Sequence, residues 1–371
     1  MSAVLPKSAK SPAAEPTSIV MSEAQKKTYY SDLERLGLVP FWEIRKVLIP
    51  HHPQTATARH IWRIEDVRSY IGTSGKHVDV KGAERRALAM ENPGLRGTYG
   101  VTQTMFASYQ LVMPGEVAYN HRHSPAAFRF VIEGEGAHSV VAGEKFYLKS
   151  GDVLITPNMA WHDHGNESKS PVLWIDGLDI PLVGHFGATW KHMTPETPEG
   201  PVVRPNGDGL NRYASGVVPV GFKPSKKVPA SPTYHYPYER TRGALEAMRR
   251  AGDIDACHGF KVRYINPTNG DDAFPTMSLF LQLVPKGFDA LPYRSSDDMV
   301  YIVAEGAGKT VFDDGAIEWK KNDVFVVPCW HRHRHVPAGA DAVLFSFSDR
   351  IAQEKLGLWV EHRADQPAPF E

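Results

Sequence analysis

Two stretches of the chain repeat each other at a distance of 171 residues. The segment GDVLITP begins at residue 151 and returns as NDVFVVP at residue 322, and FVIEGEG at 130–136 is echoed by YIVAEGAG at 301–308. Self-similarity at a fixed distance indicates a structural unit that occurs more than once. We therefore expect two related domains, a number that suits the length of 371 residues.

Both copies consist of short apolar runs separated by Gly, Pro and Asn. The runs are MFASYQLVM, AFRFVIEG, HSVVAG, EKFYLKSG, DVLITPN and PVLWIDGLDI in the first copy and MSLFLQLVP, DMVYIVAEG, GKTVFDD, GAIEWKKN, DVFVVPCW and AVLFSFSD in the second. Runs of this kind at short, regular spacing are typical of antiparallel strands. Each copy is therefore predicted to form an antiparallel sandwich or barrel.

The segments around the two copies have a different character. Ser22 and Gln25 have the spacing of a capping box ahead of a helix that ends near Leu36, and the stretch from Pro40 to Trp62 predicts an arm and loop. The predicted organisation is a disordered tail at 1–21, an N-terminal helix and arm at 22–97, a first β domain at 98–185, a linker at 186–259 with a short helix at 243–251, a second β domain at 260–350 and a C-terminal tail at 351–371.

Charge and cysteine content narrow the classes of partner. The chain carries 42 Lys and Arg and 42 Asp and Glu, so no net positive charge attracts nucleic acid or an anionic membrane. Cys257 and Cys329 form no CxxC pair, no apolar run reaches the length of about 18 residues that spans a membrane, and the N-terminal tail lacks the apolar segment of a secretory signal. We expect a reduced, cytoplasmic protein that acts on a small molecule.

Histidines cluster at two places in the first copy. His121 and His123 are two residues apart, so their side chains point to the same face of a strand, and His162 and His164 follow on a later strand. A single His-x-His pair is more often a surface feature, but an imidazole of the second cluster would complete a three-nitrogen face for one metal ion. Imidazole suits Fe, Zn, Cu and Ni, and an open three-ligand site is the catalytic type.

The spacing around these histidines resembles the two cupin motifs. The matching patterns are Gly115-x5-His121-x-His123 with Gly134 and Gly151-x5-Pro157-x4-His162-x3-Asn166. The resemblance makes His162 the third ligand, while Ala127 stands at the glutamate position of the first motif and Met159 at the internal glycine of the second. The doubled motifs resemble a bicupin, which implies an all-β dominated fold of two double-stranded β-helix or jelly-roll barrels with an N-terminal helical arm and a short inter-domain helix.

The absence of the glutamate, which leaves three neutral ligands, makes the chain resemble the ring-cleaving bicupins, the family of gentisate, salicylate and 1-hydroxy-2-naphthoate dioxygenases. The resemblance covers the chain from about Tyr29 to about Asp349. Its further segments are GAERRAL at 82–88, NPGL at 92–95, HRHS at 121–124, FRF at 128–130, EGEG at 133–136 and WIDGLD at 174–179. It implies Fe(II) at the three histidines, O2 as co-substrate and a homotetramer.

The implied reaction is extradiol-type cleavage of a 2-hydroxybenzoate between its carboxyl-bearing and hydroxyl-bearing carbons. Gentisate, which gives maleylpyruvate, is the first choice of substrate, and salicylate, a 5-substituted salicylate and 1-hydroxy-2-naphthoate are the alternatives. Three histidines leave three metal positions, which the substrate carboxylate, its ortho hydroxyl and O2 would fill.

Two arginines are expected to bind the substrate carboxylate. Arg129 lies six residues after His123 and is expected to share the inward parity of that strand. Arg85 resembles the second substrate arginine of the family, whereas Arg86 is expected in a structural ion pair.

Other pocket residues come from neighbouring positions. His164 shares the face of His162 and is expected to hydrogen-bond a substrate oxygen or to transfer a proton. Phe106 stands where a Trp is expected in the family, which enlarges the pocket. Ser108 stands where a very small residue is expected in the family, and the resemblance implies Gln110 in the pocket and Asp176 behind it.

The second copy departs from the pattern. Alignment of the copies places Tyr293 and Ser295 at the positions of the paired histidines and Met299 near the glutamate position. His333 remains, but its neighbours His331 and His335 lie on the same strand and do not surround an ion with it. We expect no catalytic metal there and a role in packing and assembly.

Two other classes fit the sequence less well. A manganese bicupin that decarboxylates or oxidises oxalate requires a glutamate beside the histidine pair in both copies, where this chain has Ala127 and Met299. A non-catalytic bicupin binding protein is expected to lack the metal histidines, which the first copy keeps.

Overall fold

The structure is a computed structural model that describes residues 21–79, 83–193, 200–224 and 229–367. The chain divides into two compact units, one that ends at His52 and one that begins at Pro53. The predicted disordered tail lies outside the described residues except for Met21. In the described part of the chain, no helix is long and apolar enough to cross a membrane.

The first unit contains two helices, α1 Glu23–Arg35 and α2 Phe41–Leu48. The capping box of α1 is confirmed, because the Ser22 hydroxyl accepts from the Gln25 N–H at 3.3 Å and the Gln25 side chain accepts from the Ser22 N–H at 2.9 Å. Helix α2 corrects the prediction of an arm and loop after Pro40, since a proline at the N-cap does not prevent a helix from starting there.

The second unit begins with an arm that forms β1 His60–Trp62 and α3 Ile64–His77. The first barrel follows. Its strands are β2 Arg86–Ala89, β3 Phe106–Val112, β4 Val117–His123, β5 Ala127–Glu133, β6 Glu135–Val141, β7 Glu144–Lys149, β8 Val153–Thr156, β9 His162–Asn166, β10 Val172–Leu178, β11 Lys191–Met193 and β12 His235–Tyr236. They form two antiparallel sheets, in the orders β12-β8-β5-β10-β3-β2 and β11-β4-β9-β6-β7.

Three helices are found in the described residues between β10 and the first strand of the second barrel, namely α4 Ile180–His185, α5 Asp208–Tyr213 and α6 Tyr238–Ala251. The last of these is the predicted inter-domain helix. It begins at Tyr238 and not at residue 243, because Pro237 occupies the N-cap position. The Pro- and Gly-rich stretch ahead of it supplies two edge strands, β11 and β12, to the first barrel.

The second barrel repeats the strand order of the first. Its strands are β13 Phe260–Arg263, β14 Ser278–Val284, β15 Tyr293–Ser295, β16 Met299–Glu305, β17 Ala307–Phe312, β18 Gly315–Lys320, β19 Val324–Val327, β20 His333–Pro337, β21 Ala342–Ser348 and, after α7 Arg350–Lys355, β22 Glu361–Arg363. The orders are β1-β19-β16-β21-β14-β13 and β18-β17-β20-β15-β22. The predicted all-β dominated fold of two related barrels is confirmed, and all twelve predicted runs form strands.

A large apolar core lies between the two barrels. The Phe130 and Phe345 rings stack with their centroids 4.5 Å apart, and Phe128 packs against Phe347 at 4.8 Å. Because side chains alternate along a strand, the orientation of Phe128 and Phe130 toward this core turns Arg129 into the interior of the first barrel. The packing of the barrels against each other thus places a cation inside one of them.

Candidate active site

Three imidazoles converge inside the first barrel. His121 and His123 lie on β4 and His162 begins the neighbouring strand β9, where it is the cross-strand partner of His121. One ring nitrogen of each lies within 4.8 Å of the others. All three side chains are buried, so the structure brings together the three predicted metal ligands at the distance at which they can bind one ion.

The orientation of these imidazoles is set by backbone carbonyls. The Nδ1 atoms of His121, His123 and His162 lie 2.7, 2.7 and 2.9 Å from the carbonyl oxygens of Tyr119, Pro125 and Ala160. A carbonyl only accepts, so each Nδ1 carries the proton and each Nε2 presents a lone pair. The three Nε2 atoms are buried and have no hydrogen-bond partner among the described residues, which fits a metal ion as their partner.

Burial also keeps these imidazoles neutral. The pKa of His121 is lowered to about 2 and that of His123 to about 4, mainly by removal from water and with a contribution from the charge of Arg85. Burial lowers the pKa of His162 well below its ordinary value, and the neighbouring histidines add to the effect. Neutral imidazole is the form that binds a metal ion.

A turn ahead of β9 holds the two ligand strands together. Met159, at the glycine position of the second motif, has a left-handed φ of 64°, and its N–H donates to the His123 carbonyl at 2.9 Å. Trp330 has a φ of 60° at the equivalent turn of the second barrel. The left-handed turn is therefore retained in both copies without glycine.

His164 lies beside the three ligands. Its ring centroid is 5.4 Å from that of His162, and its buried Nε2 has no hydrogen-bond partner in the described part of the chain. Its Nδ1 lies 2.8 Å from the Ser139 hydroxyl. His164 is thus placed at the edge of the metal centre, where its free nitrogen can contact a bound molecule.

Arg129 lies in the barrel interior, but on β5 rather than on the strand of His123. The parity argument from His123 is therefore wrong, because the chain turns between β4 and β5; Arg129 points inward because of its flanking phenylalanines. Its Nε lies 3.4 Å from a carboxylate oxygen of Asp176, and its Nη1 donates to the Thr156 hydroxyl at 2.8 Å. Burial lowers the pKa of Arg129 to about 10, although Asp176 raises it, so the guanidinium is charged at neutral pH.

Arg85 lies at the mouth of the barrel. It lines a cavity of about 560 Å³ together with His121 and Lys191. Arg86 pairs with Glu116 and Lys191 pairs with Glu84, whereas Arg85 forms no ion pair within the described residues. Arg85 therefore presents, next to the metal ligands, a positive charge that no ion pair with a described residue compensates, in a cavity that Asp79 also lines.

The remaining predicted pocket residues share one face of β3. Phe106, Ser108 and Gln110 alternate along this strand, with Ser108 and Gln110 buried and Phe106 partly exposed. The Gln110 Oε1 atom is buried and lacks a hydrogen-bond partner among residues that the structure describes. Asp176, on β10, is paired in register with both Ser108 and Arg129, so its side chain lies on the same face of the sheet as theirs.

The second barrel has a tyrosine at the position where the first barrel has the ligand His121. Tyr293 is the cross-strand partner of His333, as His121 is of His162. Met299 begins β16 as Ala127 begins β5. The alignment of the two copies made from the sequence thus corresponds to equivalent positions in the two barrels.

Two contacts of the site lay beyond the sequence reasoning, those of Ser139 with His164 and of Thr156 with Arg129. Both are made across neighbouring strands, from β6 to β9 and from β8 to β5. The repeat offered one signal, because Ser139 and Thr310 are hydroxyl residues that lie 171 positions apart.

The fold and this site define a bicupin with an open three-histidine centre in one of its two barrels. The family model described as a cupin domain matches residues 108–180. Gentisate 1,2 dioxygenase 1 from Aquipseudomonas alcaligenes is 47% identical over 91% of this chain and 96% of its own, and a gentisate 1,2-dioxygenase from Streptomyces sp is 38% identical over 89% and 93%. The solved structure of salicylate 1,2-dioxygenase from Pseudoaminobacter salicylatoxidans as an adduct with gentisate superposes with a TM-score of 0.87 at 31% identity, over 95% of this chain and 98% of that one.

The chain belongs to the gentisate 1,2-dioxygenase family of ring-cleaving bicupin dioxygenases. The membership confirms the resemblance inferred from the cupin motifs and the class of enzyme inferred with it.

Proposed function

We propose that the protein is an Fe(II)-dependent gentisate 1,2-dioxygenase that opens the ring of gentisate between its carboxyl-bearing and hydroxyl-bearing carbons to give maleylpyruvate. The observation that carries the proposal is the convergence of three Nε2 lone pairs in the first barrel, in a chain 47% identical to a gentisate dioxygenase along almost all of its length. Salicylate is the second candidate substrate, because the salicylate dioxygenase that shares this fold is also the protein solved as an adduct with gentisate.

His121, His123 and His162 would hold the iron. Their neutral nitrogens suit Fe(II), and their number leaves positions open for ligands from solution. Bound Fe(II) supplies the redox chemistry with O2 that amino-acid side chains lack. The protein contributes the position of the aromatic acid and the control of its protons.

Two arginines bind the carboxylate end of the substrate. Arg129 is charged and buried, but Asp176 compensates much of its charge, so it acts mainly as a fixed hydrogen-bond donor. Arg85 carries the uncompensated charge at the mouth and attracts the anion into the barrel. The two residues divide orientation and attraction between them.

His164 accepts a hydrogen bond from the ortho hydroxyl, because burial and the charge of Arg129 lower its pKa well below the ordinary value and keep the imidazole neutral. Its Nε2 has no hydrogen-bond partner among the described residues, and its ring lies 5.4 Å from that of His162 and is held by Ser139. A hydroxyl that donates to this nitrogen gains phenolate character, which places electron density in the ring and favours oxidation.

Phe106 and Ser108, both on β3, form one wall of the space for the substrate ring. A phenyl ring at position 106 leaves more room than an indole, and the space accommodates the 5-hydroxyl of gentisate or another 5-substituent. The ring substituent is therefore selected on this side of the pocket.

We further propose a cytoplasmic homotetramer. Several apolar side chains of the first unit are exposed, among them Phe41, Trp42 and Val47 on α2. Such side chains are typical of a surface that another copy covers. Light scattering coupled to size-exclusion chromatography is expected to give four times the mass of the 41.2 kDa chain.

The reaction is tested by O2 uptake. The protein is purified anaerobically, loaded with Fe(II) and mixed with air-saturated buffer and either gentisate or salicylate. We expect one O2 consumed for each gentisate, together with the absorbance of a ring-opened product, and a lower rate with salicylate. The absence of uptake with every 2-hydroxybenzoate would disprove the proposal.

A further inference from the structure

Ser139 and His164 form a buried pair across two strands of the first barrel. They are register partners on β6 and β9, and neither side chain is exposed to solvent. The Ser139 Oγ lies 2.8 Å from His164 Nδ1 and 2.6 Å from the backbone carbonyl oxygen of Asp163. The serine therefore has two partners, of which one can only accept.

The carbonyl decides the direction of both hydrogen bonds. The Ser139 hydroxyl has one hydrogen, and it donates that hydrogen to the Asp163 carbonyl. It must then accept from His164, so the proton of the imidazole is on Nδ1 and the lone pair is on Nε2. This Nε2 is the atom that faces the metal centre without a partner among the described residues.

The second barrel contains the same pair with the opposite direction. Thr310 and His335 are register partners on β17 and β20, and Thr310 Oγ1 lies 2.9 Å from His335 Nδ1. Here Trp319 donates its indole N–H to Thr310 Oγ1 at 3.0 Å. Thr310 still holds its own hydrogen, and among the described residues His335 Nδ1 is the acceptor that lies within reach of it. The hydroxyl therefore donates to Nδ1, which leaves the imidazole proton of His335 on Nε2.

Two differences between the copies go with this reversal. Among the described residues Thr310 has no backbone carbonyl as a partner, whereas Ser139 has one, and Trp319 donates to Thr310. The position of Trp319 in the second barrel corresponds to Leu148 in the first, because each pairs in register with the equivalent residue, Gly308 or Ala137. Leucine has no hydrogen to donate, so Ser139 receives none from that side. The serine is left to accept from His164 and to donate to the backbone.

We propose that Ser139 is a positioning residue that fixes His164 as the Nδ1–H tautomer, so that Nε2 accepts a hydrogen bond from the ortho hydroxyl of the substrate. The proposal deepens the proposed function and rests on it for the identity of the ligand. Without the serine, the buried imidazole can place its proton on Nε2, where it would meet the hydroxyl as a second donor.

Anaerobic calorimetry of the Fe(II)-loaded enzyme tests the contact with the hydroxyl. Gentisate and 3-hydroxybenzoate serve as the ligands, because they differ only in the ortho hydroxyl. Ser139→Ala is expected to weaken gentisate binding about tenfold and to leave 3-hydroxybenzoate binding unchanged. Ser139→Thr is expected to restore gentisate binding, and Thr310→Ala, the matched variant of the second barrel, is expected to change neither affinity. An equal effect of Ser139→Ala on both ligands, or none on either, would overturn the proposal.

The tautomer itself is read by ¹⁵N NMR of the Zn(II)-loaded, histidine-labelled protein, with His164→Gln used to assign the signal. We expect the His164 proton on Nδ1 in the wild type and in Ser139→Thr, and a loss of that preference in Ser139→Ala. A proton on Nε2 in the wild type would refute the role of Ser139. If the wild type bound no hydroxybenzoate, the proposed function would fail, but this measurement would still determine the tautomer.

Discussion

His121 and His162 are cross-strand partners whose ring centroids lie 4.2 Å apart. In the second barrel the equivalent cross-strand partners are Tyr293 and His333, whose ring centroids lie 5.9 Å apart. A phenol in place of one imidazole removes a nitrogen ligand and fills the space with an aromatic ring. The two barrels share one backbone plan, so the difference in chemistry between them lies in a few side chains.

His162→Ala is therefore expected to remove both the iron and the O2 uptake, whereas His333→Ala is expected to leave both largely intact. Two imidazoles hold a divalent ion far more weakly than three. Metal analysis of the purified variants, side by side with O2 uptake on gentisate, checks both results. Equal losses in the two variants would contradict the assignment of one metal centre per chain.

Arg85→Gln is expected to raise KM for gentisate about tenfold or more with a smaller effect on kcat, because it removes the uncompensated charge at the mouth. The double variant Arg86→Gln/Glu116→Gln removes a neutral ion pair from the same mouth. Its KM for gentisate is expected to stay within about twofold of the wild-type value, since the net charge is unchanged. Steady-state kinetics at two ionic strengths measure both. The KM of the wild type and of the double variant, which both keep Arg85, should rise clearly with salt, whereas the KM of Arg85→Gln should change less.

Much of this architecture could be predicted because the decisive signals are local. The repeat of GDVLITP as NDVFVVP and the alternating apolar runs depend on residues close together in the sequence, so both barrels and their central strands followed from them. The spacing of His121 and His123 fixes their common face for the same reason.

The unpredicted parts depend on partners that are distant in the sequence. Strand β1 has three residues, and it becomes a strand because it pairs with β19, more than 250 residues later. The contact between Ser139 and His164 depends on the register of β6 and β9, which no local pattern specifies. Helix α2 does have a local signature, because its apolar residues Phe41, Ile44 and Leu48 recur at helical spacing. The prediction of an arm and loop gave more weight to Pro40 and to the prolines and histidines after the helix.

Arg129→Met is expected to lower the free energy of unfolding by about 3 kcal/mol, because it leaves the buried Asp176 without its cation. Arg129→Met/Asp176→Asn is expected to recover most of that loss. Denaturant unfolding of the metal-free proteins provides the comparison. A double variant no more stable than the single one would show that packing, and not charge, dominates this pair.

Gly151→Ala is expected to destabilise the protein by about 3 kcal/mol or more, since Gly151 has a φ of 89° and an added Cβ would lie 2.4 Å from the Tyr238 ring. The ring cannot easily move aside, because the Tyr238 N–H and hydroxyl bond Asp152 and Glu305. Gly187→Ala, with a φ of 65° and open space around its Cβ, is expected to cost only about 1 kcal/mol. Thermal unfolding of the two variants separates steric overlap from backbone strain.

Asp179 predicts a dependence of stability on pH. Its buried carboxylate accepts from the Ala126 N–H at 2.8 Å and from the Thr276 hydroxyl at 2.5 Å, and burial raises its pKa to about 6 in spite of both bonds. Because the folded state holds this proton more tightly than the unfolded state, stability falls as pH rises from about 4 to 6 and is not regained above that range.

The Asp179→Asn variant has no proton to lose at this position. Its free energy of unfolding, relative to that of the wild type, is therefore expected to increase by about 3 kcal/mol between pH 4 and pH 7. Urea unfolding at several pH values measures the difference. Asp314→Asn is the matched control, because this exposed carboxylate pairs with Arg59, which lowers its pKa and places its titration below the tested range. Its curve is expected to run parallel to that of the wild type, and a parallel curve for Asp179→Asn would contradict the raised pKa of Asp179.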